Sequence, residues 1–209
     1  HYWGGKANNF TLHADKYTQN LIKGAFEVDS DSLGGLMLFW HESRTVFAGG
    51  FSLNNIALRV RVCEGAELVF ATAPITGTGS IRSYLGDGGT IVFQVPSNRV
   101  HLGVSTAPIL NPVRIETDDF VDPEYLTSQI NVFGASGVLD LCGHSNSFGH
   151  LGLTAITSGV TNSADTAATM RIRQTSAVDM AGTFGGRLNL EIECAGNTTA
   201  KRWVTFTNA

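Results

Sequence analysis

Residues 150–182, HLGLTAITSGVTNSADTAATMRIRQTSAVDMAG, constrain this chain more than any other stretch. Ala168, Met170 and Ile172 alternate with Thr169, Arg171 and Arg173, a period of two that gives one apolar and one polar face. Leu151, Leu153 and Ala155 do the same against Gly152 and Thr154. Between them, residues 158–166 are rich in Gly, Ser, Thr and Asn, which is loop chemistry. The pattern predicts two half-buried strands joined by a polar loop. Such strands need a second layer to cover their apolar face.

The rest of the chain supplies more strands and little helix. Residues 36–40 (LMLFW) form a continuous apolar run of strand length. Residues 56–75 read as a hairpin: Leu58, Val60 and Val62 alternate with Arg59 and Arg61, Glu64-Gly65 turns the chain, and residues 68–73 return. A further β run, TIVFQV, is closed by Pro96. Residues 14–23 fit a short helix stopped by Gly24, with a strand over 20–28 as the alternative, and Asp122-Pro123-Glu124 fits the start of another helix. Turns arrive roughly every 8–12 residues, the spacing of sandwiches and barrels, and no fixed-period repeat is evident. The expectation is one all-β domain over residues 1–209, an antiparallel β-sandwich with one or two short helices.

Composition narrows the function. Charged residues are 15% of the chain and the net charge is −4, which argues against strong nucleic-acid binding by the whole domain. A weakly charged surface rich in hydroxyls and amides suits extensive partner contacts. Cys63, Cys142 and Cys194 are odd in number and far apart, so no disulfide framework is expected. No window approaches the roughly 18 apolar residues of a membrane span, so no membrane partner is expected.

The search for catalytic chemistry ends without a site. His41-Glu42-Ser43 has no second histidine four residues on. The sequence around Ser145 lacks the glycine of a nucleophile elbow. His144 and His150 flank a Gly/Ser/Asn loop without a third ligand. The carboxylates at 116–124 lack the pattern of a calcium loop and read as solvated charge. The chain is therefore read as no enzyme, with no cofactor and no metal. Arg59 with Arg61, and Arg171 with Arg173, are same-face pairs on expected strands. They are either solvated, salt-bridged charges or contacts to another subunit or to RNA, and they are the candidate site residues.

Several stretches together resemble a known family. GAFEV at 24–28 followed by LGGLMLF at 33–39, the proline-ended GTIVFQVP at 89–96, and LGLTAI, MRIR and VDMAG between 151 and 182 carry the likeness. They resemble the jelly-roll coat proteins of picorna-like viruses, most closely the processed coat proteins of small icosahedral plant viruses of the comovirus or secovirid type. The resemblance implies a jelly-roll sandwich with an N-terminal arm (1–12) and a C-terminal hairpin extension (183–209). It implies a capsid protein that assembles with itself or sibling coat chains around viral RNA, in the virion and, during assembly, in the host cytoplasm. The start at His1 agrees with release from a polyprotein. The alternative is a carbohydrate-binding or receptor-binding β module of the adhesin type, suggested by Gly/Thr/Asn-rich loops and by Trp3, Tyr84 and Trp203. A hydrolase on a β scaffold rests only on the scattered histidines.

Overall fold

The computed structural model describes residues 10–13, 19–28, 36–40, 43–175, 178–194 and 204–206. The chain winds in coils that each visit three faces. The early coils comprise β1 (Phe10–His13), β2 (Gln19–Ile22) and β3 (Phe26–Val28), then β4 (Leu36–Trp40), β5 (Arg44–Phe47) and β6 (Phe51–Leu53). Next come β7 (Ala57–Val62), β8 (Glu67–Phe70) and β9 (Ile75–Gly77), then β10 (Ser80–Ser83) and β11 (Thr90–Phe93). The middle holds β12 (His101–Leu102), β13 (Val113–Ile115), β14 (Ile130–Phe133), β15 (Val138–Asp140) and β16 (Asn146–Phe148). The last coils hold β17 (His150–Leu153), β18 (Gly159–Asn162), β19 (Ala168–Gln174), β20 (Val178–Met180), β21 (Thr183–Gly186), β22 (Leu188–Cys194) and β23 (Val204–Phe206).

Every strand pairs in parallel with the strand one coil away. The first face runs β1-β4-β7-β10-β12-β14-β17, and the second runs β2-β5-β8-β11-β13-β15-β18-β21. The third face is β3-β6-β9 at one end and β16-β19-β22 at the other. A parallel bridge between Asn98 and Val121 lies between these two sheets in the chain. This is a β-solenoid of about seven turns, read from the seven steps between the eight strands of the second face.

The fold overturns the expected antiparallel jelly-roll sandwich. Strands β7 and β8, expected as a hairpin, lie in different sheets; each pairs in parallel with a strand about 23 residues away in sequence. Glu64-Gly65 does turn the chain, with Gly65 at φ 77°, but as a corner between faces rather than a reversal. The two strands and loop expected over 150–174 are three strands on three faces, with β18 inside the expected loop. The expected C-terminal hairpin is likewise parallel: β22 pairs with β19, and β23 with β20. Within the expected N-terminal arm, Phe10–His13 pairs with β4, while residues 1–9 lie outside the described residues. No helix occurs among the described residues. Over residues 20–28 the strand alternative holds rather than the helix, as Gln19–Ile22 and Phe26–Val28; residues 14–18 lie outside the described residues, and the segment after Asp122 is a run of turns. The physical reason is common to all of these. A period of two places one face inward, and it does so equally well for an antiparallel neighbour and for a parallel one.

The core is built from rows of like side chains stacked coil on coil. Phe47, Phe70 and Phe93 occupy one register position, with ring centroids 5.7 and 5.2 Å apart and nearly parallel planes. Phe26 stacks on Phe51 at 5.1 Å in a second row. Leu58, Ile81, Leu102 and Leu151 share a third, into which Asn131 is set. Corners need small residues: Gly77 has φ +93°, and a Cβ there would lie 2.2 Å from the Leu53 carbonyl oxygen of the coil before. Buried asparagines bond coil to coil. Asn98 accepts the Ile75 N–H and donates to the Phe120 carbonyl, while Asn146 accepts the Phe120 N–H. The Phe120 peptide is thereby held from both sides.

Because Phe70 has an aromatic neighbour above and below, Phe70→Ala opens a gap that neither row partner can fill. The expected loss is about 3–5 kcal/mol of unfolding free energy in urea, against under about 0.5 kcal/mol for Leu21→Ala on the exposed surface. Equal small losses for both would contradict the stacked core.

Candidate functional site

The outward positions of a solenoid also form rows, spaced one strand apart, about 4.8 Å. On the second face, Arg44, Glu67 and Thr90 share a row. Arg44 Nε donates to Glu67 at 3.2 Å, and Arg114, two strands further along, reaches back to Glu67 at 3.3 Å. Arg114 also pairs with Glu116 at 2.6 Å, and Gln94 donates to Glu116 at 2.8 Å. Burial alone would raise the Glu116 carboxyl; the hydrogen bonds from Gln94 and Arg114 outweigh it and hold the group below its usual range. Val69 and Val92 point outward by alternation, yet are 0% and 1% exposed and stand apart from the main core. The charged network is placed to cover them, so this face is closed by its own side chains.

The first face is different. Its central row is Ala57, Ser80, His101, Ile130 and His150. His101 Nδ1 accepts the Ile130 N–H at 2.9 Å, and its Nε2 lies 2.8 Å from the Tyr125 hydroxyl. With Nδ1 accepting, Nε2 carries the proton and donates to Tyr125. Burial and the nearby Arg82 lower the His101 pKa, and burial pushes the Tyr125 hydroxyl up to about 12. Gln174, fully buried, accepts the Leu151 N–H and presents its amide nitrogen to His150 Nδ1 at 2.8 Å. Burial lowers the His150 pKa too. Both rings are thus held neutral as acceptors of specific N–H groups.

The adjoining row brings Arg59 and Arg82 into direct register. Arg82 is held by a 2.8 Å hydrogen bond from its Nε to Ser80 Oγ, and Arg59 is exposed. Among the described residues, neither touches a carboxylate. Tyr84, 47% exposed, follows one residue beyond the Ser83–Val60 pair of the same two strands.

The four candidate arginines therefore have different surroundings. Arg61 is ion-paired with Asp87. Arg171 pairs with Glu191 at 2.7 Å and Arg173 faces Glu193 at 3.9 Å, each in exact register across β19 and β22. These three each face a carboxylate, and among the described residues Arg59 alone of the four has no such partner. Arg82, His101 and Tyr125 were not singled out by the sequence reading. The signal that could have found Arg82 is its spacing of 23 residues from Arg59, the same interval that separates Phe47, Phe70 and Phe93.

Among the described residues, no group of three or more His, Cys, Asp and Glu is placed to hold a metal ion. His144 instead lies 3.6 Å from Asp118. Cys63, Cys142 and Cys194 are free thiols, and burial, helped by Asp140, pushes Cys142 up to about 11, away from thiolate reactivity. No protein-family model, no curated protein and no solved structure matches this chain. The class to which its architecture assigns it is the β-solenoids.

The two histidines set a pH dependence. Their folded pKa values lie below the unfolded value near 6.5, so the unfolded chain binds more protons and stability falls as pH drops below about 6.5. Urea midpoints between pH 7.5 and 5 should fall, before the carboxylates titrate. His101→Asn, which keeps an acceptor near the Nδ1 position, should reduce that fall. A midpoint unchanged or rising on acidification would contradict the assignment.

Proposed function

We propose that this chain is a binding module that engages an extended carbohydrate chain along the first face of its solenoid. The observation that carries the reading is geometric. Equivalent outward positions recur from coil to coil in a parallel stack, and a polymer that repeats its own groups can meet them repeatedly. The chemistry of the surface agrees with a ligand rich in hydroxyls. On the first face the exposed Arg59 and the terminal nitrogens of Arg82 are hydrogen-bond donors that hydroxyl oxygens can accept from. Tyr84 adds an exposed ring, a side chain that suits contacts with an amphipathic ligand.

The coat-protein reading drew on segments taken as jelly-roll strands. Those segments are parallel coils, so a jelly-roll likeness no longer supports the capsid partners, the viral RNA or the virion location. Of its candidate contacts Arg59, Arg61, Arg171 and Arg173, Arg171 is bonded to Glu191 at 2.7 Å and Arg173 faces Glu193 at 3.9 Å.

The test is binding of the chain to a panel of immobilised neutral and acidic oligosaccharides of increasing length. Affinity for at least one series is expected to rise with oligomer length over several sugars, then level off once the face is spanned. Closed shells in electron microscopy, with no oligosaccharide bound, would overturn the reading in favour of a coat.

A further inference from the structure

The arginines of the described residues follow one rule with one exception. Arg44 and Arg114 share Glu67, Arg61 has Asp87, and Arg99 has Asp122 at 2.7 Å and Glu124 at 2.9 Å. Arg171 and Arg173 have Glu191 and Glu193, and Arg187 donates to the Asp165 carbonyl at 2.7 Å. Only Arg59 and Arg82, among the described residues, lack an anionic or carbonyl partner, and they are register neighbours on adjacent strands. Like charges directly opposite each other on neighbouring strands repel. A chain that pairs its other described arginines has left two together.

We propose that Arg59 and Arg82 form a two-pronged clamp for the carboxylate or sulfate groups of an acidic glycan, which rests on the binding-module reading above. The two residues are register partners one coil apart, and a guanidinium group can make paired N–H···O bonds to a planar anion. The Ser80 hydroxyl occupies Arg82 Nε and fixes that side chain, leaving its two terminal nitrogens for the ligand. Arg82 is partly desolvated: burial, then the charge of Arg59, disfavours its charged form. An arriving anion relieves both costs. The neutral His101 beside it adds no third charge, so the site is sized for one or two anionic groups. A nucleic acid fits less well. Its affinity grows with the number of phosphates neutralised, whereas the clamp offers two unpaired cations on a chain of net charge −4.

The test is calorimetric titration of the intact chain with a hexamer of galacturonic acid, a neutral cellulose hexamer and a single-stranded hexanucleotide. The uronate hexamer is expected to bind most tightly, more weakly as salt rises. Arg59→Gln and Arg82→Gln should each weaken it about tenfold or more, while Arg171→Gln, already paired with Glu191, leaves it unchanged. Arg59→Gln should leave the thermal midpoint of the ligand-free chain unchanged or raised, because it removes a repulsion. Arg114→Gln, which breaks two ion pairs, should lower it. Uronate binding unaffected by R59Q and R82Q would overturn the clamp, and so would a lowered midpoint in R59Q. If only the neutral hexamer binds, the clamp fails and the binding module stands. If the oligonucleotide binds best, the glycan assignment fails, and if nothing binds, both fail.

Discussion

Each strand of this protein completes its backbone hydrogen bonds with the strand one coil away, in register and in parallel, and the remaining features depend on that pairing. In-register stacking brings position 47 over 70 and 70 over 93, so a sequence that places phenylalanine at all three obtains a continuous aromatic row. The same constraint applies to polar groups. A buried amide must bond to the coil above or below it, and Asn98 and Asn146 do so through the two sides of the Phe120 peptide. Asn111 serves a corner in the same way, donating to the Val62 and Gly89 carbonyls and accepting from Ser83. Stability in such a stack is a sum of coil-to-coil contacts, so core rows and amide bridges act locally, each between neighbours.

The constraint also governs the outer surface. Outward side chains are brought within reach of their counterparts one coil away whether they attract or repel. On the second face the chain places Arg44 beside Glu67 and closes the surface with Arg114 and Glu116. On β19 and β22 it does the same with Arg171–Glu191 and Arg173–Glu193. Against those ladders, the bare pair of Arg59 and Arg82 is a departure from local consistency. Departures of that kind concentrate at functional sites, and here the departure lies on the face whose neighbouring row holds two neutral, fully employed histidines.

Much of the local structure was legible in the sequence. Alternation at 58–62 and 168–173 marks strands, Glu64-Gly65 marks a turn, and the apolar members of each alternation are the buried ones. What alternation does not carry is the identity of the partner strand. That information lies in the interval between coils, and the interval drifts. Arg44, Glu67 and Thr90 are 23 apart, but Leu102 pairs with Asn131 at 29 and Ile130 with His150 at 20. Insertions such as the turns after Asp122 hide the period, and without the period a solenoid reads as a set of hairpins. The candidate site was half legible for the same reason. Arg59 was visible as an exposed strand cation; its neighbour is Arg82 only once the coil length is known.

The progressive parallel stack fixes the distances along the solenoid axis, and those distances can be measured. Nitroxide labels at Gln19, Thr90 and Thr183, in a chain whose three native cysteines are replaced by serine, all fall on the second face. Thr90 and Thr183 are four strand steps apart and Gln19 and Thr183 are seven. At about 4.8 Å per step, pulsed electron resonance should give separations of about 19 Å and about 34 Å, within the reach of the labels. Separations that do not scale with the number of coils, with Gln19 and Thr183 closer than about 20 Å, would contradict the solenoid.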